Sequence, residues 1–412
     1  MKYLDLKFLK DASLLSMANL LNSASNGIII ILLNKNLAPD QSGIFLFLLS
    51  IASPIFIFLS FDLRRKLTTN LTDGLSIPKI FAIRNILALV GIFVFFLIVY
   101  FVSDHSNEFY TALLCIGFGK IFDSISDINY AIFQHANKER NIFISRLIKV
   151  ICCLAMFLFY HPNNFYIIFS LFVICNFIPF ATFEVWQLKK IDKALKLFDF
   201  KATFSEIKHL VVNNISLAFA SLIMVLSPNI PTYFIKAYLS IENVTYFSSI
   251  NFIISTVYLA GSGVGYAMLK KLKADNYNGN ANLLLKSIFI SFACYFLVGL
   301  LFYPIHGLTL LFNKQYEPYY LLFYLLLLSG FLFTVCSFLN NYLLFLNERK
   351  SLFRIRTLRL VINVLVCIVM PYYWKGLNTF GYALVLVNFM DALIHIWLIK
   401  RKENLSIAYG YN

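Results

Sequence analysis

The sequence is poor in charge. Only 13% of its 412 residues are Asp, Glu, Lys or Arg, whereas 60% are hydrophobic; soluble domains use about 25% charged residues. A water-soluble globule of this size cannot bury that much apolar surface. The composition therefore excludes an ordinary cytosolic enzyme, a secreted disulfide-rich domain and a disordered chain, and it indicates a polytopic membrane protein.

The sequence also lacks the motifs of soluble chemistry. Its seven cysteines fall in apolar stretches without a Cys-x-x-Cys pair, so neither disulfides nor a zinc site is expected. It contains no phosphate-binding loop, nucleophile elbow or kinase signature. We expect a chain that is not an enzyme and has no resident metal, cofactor or nucleic-acid partner.

Twelve stretches are long and apolar enough to cross a bilayer, which takes about 20 residues. Each is predicted to be helical, because open strands leave backbone groups unsatisfied in lipid. The windows are roughly 13–33, 43–61, 81–102, 109–133, 142–160, 165–186, 210–234, 246–268, 285–304, 319–346, 358–374 and 381–399. The predicted fold class is an all-α polytopic membrane protein with about 12 transmembrane helices.

The cations predict the orientation of these helices. Thirty of the 35 Lys and Arg residues lie in or next to the N-terminus, alternate loops and the C-terminal tail, and four lie in the opposite loops. By the positive-inside rule both termini are expected in the cytoplasm. The remaining cation, Lys120, lies in the middle of the fourth span.

The longest loop separates two sets of six spans. We predict an N-terminal six-helix bundle at 1–186, a cytoplasmic linker at 187–209 and a C-terminal six-helix bundle at 210–412. Two similar halves are also suggested by a short recurrence, in which Leu37, Asp40 and Phe45 are matched 202 residues later by Leu239, Glu242 and Phe247, although three matches can arise by chance. Repeated halves with a binding site between them are a common transporter plan.

The fourth span carries polar side chains at steps of three, four, three and four residues, which places them on one face of a helix. The stripe consists of Lys120, Asp123, Asp127, Tyr130 and Gln134, with Ser124 beside it. A charge at the bilayer centre costs about 2.5–3.5 kcal/mol on insertion scales. An ion pair between Lys120 and Asp123 could lock helices together, or the stripe could line a hydrated cavity. We favour the cavity, where the second carboxylate could bind a proton or a sodium ion.

Two other spans present polar faces at the same helical spacing. These residues are Asn19, Asn22 and Asn26 in the first span and Asn388, Asp391 and His395 in the twelfth. Such groups can line a cavity and hydrogen-bond sugar hydroxyls, or they can join helices, where a polar contact contributes about 0.6 kcal/mol on average. Both interpretations stay open.

The seventh span contains Pro228, Asn229 and Pro231, followed by Lys236. Two prolines three residues apart remove backbone donors and should break or bend the helix. The bend would be a gating hinge or an ordinary helix end.

A basic cluster, Arg64, Arg65 and Lys66, follows the second span. Such clusters are usually topology anchors. A substrate role is the alternative, because an arginine fork binds diphosphate oxygens in pairs.

Three segments resemble the O-antigen and capsular polysaccharide flippases, a branch of the superfamily that includes multidrug exporters of the MATE type and lipid II flippases. KIFDSISDINYAIFQ at 120–134 matches a fourth-helix motif of that family. The other two are LRRKLTTN at 63–70, followed by Arg84, and NIPTYFIKAYLSIENVTYFS at 229–248. The chain departs from the pattern at Thr232, where members often have Arg, and at Asn70, where Asp is common.

The resemblance implies a MATE-like fold of two six-helix bundles around a central cavity. It also implies a substrate, an undecaprenyl-diphosphate-linked oligosaccharide, which alternating access moves from the cytoplasmic to the periplasmic leaflet of the bacterial inner membrane. Lys120 would contact the diphosphate or acidic sugars, and Asp123 and Asp127 would tune that lysine or couple to an ion. Sugar contacts would come from Asn19, Asn22, Asn388 and Asp391.

The same resemblance implies a polymerase or a chain-length regulator as a partner. Two other functions stay in view: a membrane polymerase or transferase of lipid-linked sugars, and a MATE-like small-molecule antiporter.

Overall fold

The structure is a computed structural model that describes residues 6–68, 75–102, 106–159, 164–191, 201–274, 280–303, 306–345 and 349–408. Within these ranges the regular elements are all helices, and no strand is present. The predicted all-helical fold class is therefore confirmed. Long apolar runs become helices here because only a helix satisfies its own backbone groups in lipid.

The described residues before 239 form nine α-helices. Their bounds are α1 (Leu6–Asn36), α2 (Pro39–Phe58), α3 (Leu63–Thr68), α4 (Ile77–Val102), α5 (Asn107–His135), α6 (Glu139–Phe159), α7 (Phe165–Pro179), α8 (Val185–Ile191) and α9 (Phe204–Tyr238). A single π-helical turn, Phe180–Glu184, joins α7 to α8. Together these three elements form one continuous span.

The described part of the remaining chain contains six α-helices. They are α10 (Ile241–Ala274), α11 (Asn280–Phe302), α12 (Gly307–Leu311), α13 (Tyr320–Phe345), α14 (Arg349–Tyr373) and α15 (Asn378–Ala408). A short 3₁₀ segment, Lys314–Tyr319, leads into α13.

Ten helices among the described residues are long and apolar enough to cross a membrane. They coincide with ten of the twelve predicted windows. The other two windows, 246–268 and 358–374, lie in α10 and α14, which do not count among the ten. In α14 five cations occupy the first eleven residues, from Arg349 to Arg359, so the apolar part that follows is short.

The chain divides into two compact units, Met1–Asn229 and Ile230–Asn412. This division falls inside α9, between Pro228 and Pro231. The predicted bundle boundaries at 186 and 210 stay a prediction. The proline pair does not break the helix, because α9 runs from Phe204 to Tyr238 without interruption, and the predicted bend and gating hinge stay predictions. Membrane helices tolerate proline because neighbouring groups can satisfy the freed carbonyls.

The two units share one pattern of helix pairs. In the first unit α5 packs against α2, α4 and α7, and α6 packs against α7. In the second unit α13 packs against α10, α11 and α15, and α14 packs against α15. When the membrane-spanning helices are numbered along the chain, each of these pairs in the second unit corresponds to a pair in the first unit, shifted by six spans. The predicted pair of similar halves stays a prediction.

Gly119 allows α5 and α7 to approach closely. A Cβ atom added there would lie 2.5 Å from Cδ1 of Phe172. The ring of Phe172 cannot easily retreat, because it is buried and packs edge-on against Phe45 with ring centroids 5.4 Å apart.

We therefore expect Gly119→Ala to destabilise the first unit by about 1–3 kcal/mol through overpacking. Thermal unfolding of the purified protein in detergent measures this. Gly91→Ala is the matched control, since its Cβ would lie 3.3 Å from Cε1 of Phe56 and should cost less. Adding Phe172→Leu should restore part of the stability; equal losses at both glycines would contradict the packing argument.

Candidate functional site

The first unit contains a cluster of charged side chains around the polar face of α5. Asp123 lies between two cations: Lys120 Nζ is 3.7 Å from Asp123 Oδ2, and Arg146 NH1, from α6, is 3.8 Å from Asp123 Oδ1. These distances exceed those of direct charged hydrogen bonds, about 2.7–2.9 Å. The predicted pair of Lys120 with Asp123 is therefore present, but it is loose, and Arg146 shares it.

The first helix adds an amide to this cluster. Asn22 Oδ1 accepts hydrogen bonds from Arg146 NH1 and from Lys149 Nζ, the latter at 3.4 Å. Of the other predicted asparagines on α1, Asn19 is exposed and Asn26 is partly buried. The structure thus brings Asn22 into the α5 cluster.

A second ion pair continues the stripe along α5. Arg64 NH1, from α3, is 3.1 Å from Asp127 Oδ1, and Arg64 Nε donates to Gln134 Oε1 at 3.2 Å. The guanidinium carbon of Arg64 lies 5.9 Å from the centroid of the Tyr130 ring. Arg64, Asp127 and Gln134 therefore form one group, as the spacing predicted. The side chain of Arg65 lies outside the described residues.

Tyr130 also links the stripe to a buried acid that sequence reasoning missed. Its hydroxyl donates to Glu184 Oε1 at 2.8 Å, Ser145 Oγ donates to the same oxygen at 2.6 Å, and Asn129 Nδ2 donates to Oε2 at 2.7 Å. Glu184 has no exposed surface. It ends the π-helical turn that follows Pro179, and such turns occur frequently at functional sites.

Glu184 holds Tyr130 in place, and Tyr130 supports Arg146. The guanidinium carbon of Arg146 lies 4.6 Å from the centroid of the Tyr130 ring, within range of a cation–π interaction. Such a contact is worth about 2 kcal/mol or more when desolvated. The buried acid therefore orients a cation that it does not touch directly.

Two predicted residues of the first unit bind backbone. Arg84 is buried and donates from NH1 to the carbonyl of Leu59 at 3.1 Å and from Nε to the carbonyl of Ser124 at 3.3 Å. Asn229 Nδ2 donates to the carbonyl of Val225, one turn back on α9, at 2.7 Å. Arg84 thus joins the end of α2 to α5, whereas the bond of Asn229 stays within α9. Among the other predicted residues, Ser124 is buried and Lys236 is half-buried in the last turn of α9.

The second unit holds the predicted residues of α15 in a buried network. Asn388 Oδ1 accepts from Arg359 NH2 at 2.8 Å, and its amide donates to Ser329 Oγ at 2.8 Å. Asp391 Oδ2 lies 3.6 Å from Arg359 NH1. The structure therefore brings Asn388 and Asp391 together with α13 and α14.

His395 completes this network. Its Nδ1 lies 2.7 Å from the carbonyl of Asp391, and its Nε2 lies 3.0 Å from Asn340 Oδ1. The ligand atoms of Cys336, Asp391 and His395 fall within 4.8 Å of one another, a spacing open to a metal ion. The guanidinium of Arg359 opposes that use, because it already supplies a positive charge beside Asp391.

Sequence reasoning missed Arg146, Lys149, Glu184 and Arg359. The three cations were counted among the orientation signals at helix ends, and Glu184 was included in an apolar window. One signal was available: Arg146 and Lys149 lie three residues apart in the window 142–160, so they share a helix face. In the α5 cluster four cations (Arg64, Lys120, Arg146, Lys149) face three acids (Asp123, Asp127, Glu184), which makes it net positive and suited to an oxyanion.

Known proteins with the same fold are transporters and a flippase. An inward closed structure of the lipid II flippase MurJ aligns with a TM-score of 0.71 at 16% identity, covering 94% of this chain and 87% of that one. An inward-facing structure of a multidrug resistance MATE family transporter of the MOP superfamily gives 0.66 at 14% identity, covering 94% and 95%. The chain therefore has the MATE-like fold of MOP superfamily transporters.

The chain is also similar in sequence to a curated protein over part of its length. It is 25% identical over 270 residues to the capsular polysaccharide biosynthesis protein CapF of Staphylococcus aureus. The match covers 64% of this chain and 65% of CapF, so the chain spans less than two thirds of that relative. No protein-family model matches the chain.

The network around Glu184 generates a stability prediction. Glu184→Ala leaves the buried donors of Asn129, Tyr130 and Ser145 without their acceptor, and each unsatisfied group costs about 1–3 kcal/mol. We expect a clear fall in the thermal transition in detergent, and a smaller fall for Glu184→Gln, which keeps an acceptor oxygen. Glu317→Ala, at an exposed site, should change little. A transition in Glu184→Ala as high as in that control would contradict the network.

Proposed function

We propose that the chain is a flippase that moves an undecaprenyl-diphosphate-linked oligosaccharide repeat unit from the cytoplasmic to the periplasmic leaflet, for O-antigen or capsule assembly. It would lie in the bacterial inner membrane with both termini in the cytoplasm, and it would work by alternating access. A polymerase or a chain-length regulator would take the delivered unit. Transport can couple to a proton or a sodium ion.

The observation that carries this proposal is the net positive cluster inside apolar helices. Lys120, Arg146 and Lys149 come from two transmembrane helices, and all three lie within apolar sequence. Keeping such charges in a membrane protein is expensive, so they indicate a charged substrate. An arginine fork and two ammonium groups suit a diphosphate.

The physics of the substrate supports the same function. Sugars and a diphosphate that crossed bare lipid would lose hydrogen bonds at roughly 2–7 kcal/mol per polar group. A polar, net positive surface inside the protein removes most of that penalty, and the polyprenyl tail can stay in lipid. The fold shared with a lipid II flippase and the partial similarity to a capsule biosynthesis protein point to the same class of cargo.

A strain that lacks the gene tests the function directly. We expect single lipid-linked repeat units to accumulate on the cytoplasmic leaflet, with none at the cell surface, when the units are counted leaflet by leaflet. If single units still reach the surface but long polymer is missing, a polymerase replaces the flippase as the function. If surface polymer is normal, both functions fail.

Lys120→Ala tests the cluster in the complemented strain. We expect surface polymer to be lost while the protein inserts at normal levels, because the variant removes a cation from the diphosphate site. Lys375→Ala, an exposed lysine after α14, is the matched control and should export normally. Normal export by Lys120→Ala would exclude this lysine from the site.

A further inference from the structure

The three acids of the α5 cluster are held in different ways. Glu184 is fully buried and accepts three hydrogen bonds of 2.6–2.8 Å. Asp127 contacts Arg64 directly at 3.1 Å. Asp123 alone of the three lies 3.7 and 3.8 Å from its two cations, too far for a direct charged hydrogen bond. Asp123 is held by the electrostatic field of the two cations more than by direct contacts. It is therefore the acid that can move away from its partners most easily.

Asp123 is also more exposed than its cations. Its side chain is 34% exposed, whereas those of Lys120 and Arg146 are 16% and 11% exposed. Lys149 is buried. Of these four charged groups, the carboxylate of Asp123 is therefore the most accessible to an incoming anion.

We infer that Asp123 is an internal competing anion: in the empty protein its carboxylate takes the place of a substrate phosphate on Lys120 and Arg146, and the substrate displaces it. This inference rests on the proposed function and adds a specificity-determining residue to it. A tethered carboxylate acts at an effective concentration of the order of millimolar. A monophosphate competes poorly with it, whereas a diphosphate, with more charge and more oxygens, can engage Lys120, Arg146 and Lys149 together.

This competition lowers the affinity of the site for its ligand. In return it makes the site more selective for a diphosphate and allows the bound ligand to leave sooner. If Asp123 occupies its cations about nine tenths of the time, the apparent affinity of a ligand that binds only Lys120 and Arg146 falls about tenfold, and a diphosphate that also engages Lys149 loses less. The same carboxylate can return to the cations as the diphosphate leaves. A site with the cations alone would bind every phosphorylated lipid and release it slowly.

The experiment is a titration of the full chain in nanodiscs with undecaprenyl diphosphate and, separately, with undecaprenyl monophosphate. For Asp123→Asn we expect the monophosphate to bind about tenfold more tightly than to wild type. We expect a smaller gain for the diphosphate, which also engages Lys149, so the preference for diphosphate shrinks. A merely structural aspartate would give no gain in affinity. Asp40→Asn, the same charge change at an exposed residue in the first turn of α2, is the control and should leave both affinities unchanged.

The outcomes separate the two proposals. If wild type binds undecaprenyl diphosphate and Asp123→Asn binds it equally or more weakly, the inference is overturned and the proposed function stands. If wild type and Asp123→Asn both fail to bind either lipid, the proposed function fails and the inference falls with it. Thermal unfolding confirms that the variant is folded, and Asp123→Ser serves in its place if it is not.

Discussion

Arg146 carries its guanidinium on a membrane-spanning helix, and neighbouring groups of the first unit stabilise that charge. An unpaired charge at that depth would be costly. Three groups stabilise the positive charge of Arg146: the face of Tyr130, the amide oxygen of Asn22 and the loosely held carboxylate of Asp123. Only Asp123 carries a full negative charge. Because two of the three partners are neutral, the guanidinium keeps much of its attraction for an external anion.

The second unit contains a similar arrangement of an arginine, an aromatic ring, an asparagine and an aspartate, but there the aspartate is buried. Arg359 lies 4.4 Å from the ring centroid of Phe333, donates to an asparagine and pairs with Asp391, much as Arg146 does with Tyr130, Asn22 and Asp123. Yet Asp391 is 3% exposed, against 34% for the side chain of Asp123. The closed network, with its further hydrogen bonds to Ser329 and Asn340, suits a structural lock between α13, α14 and α15. The more exposed arrangement of the first unit suits the replacement of Asp123 by a ligand.

The periodicity of the sequence predicted the helices and the face of α5, because both follow from spacing along one chain. It could not predict which cations of α6 and α14 turn inward. A basic residue near a helix end satisfies the positive-inside rule whichever way it faces, and only packing decides between the interface and the interior. Glu184 was hidden for another reason: its three donors come from two other helices, and the π-helical turn that aims it has no simple sequence signature.

A site that carries a ligand across a membrane must also let it go, and this requirement distinguishes Glu184 from Asp123. Glu184 is fixed in position, because it is buried and accepts three hydrogen bonds. It orients Tyr130 through one of them. Asp123 has few fixed contacts, and solvent reaches it. If both acids were buried, Arg146 would be neutralised for good and the site would be a lock, as in the second unit. If both were absent, the cations would retain any phosphate that reached them. One fixed acid and one exchangeable acid keep the cations oriented but available.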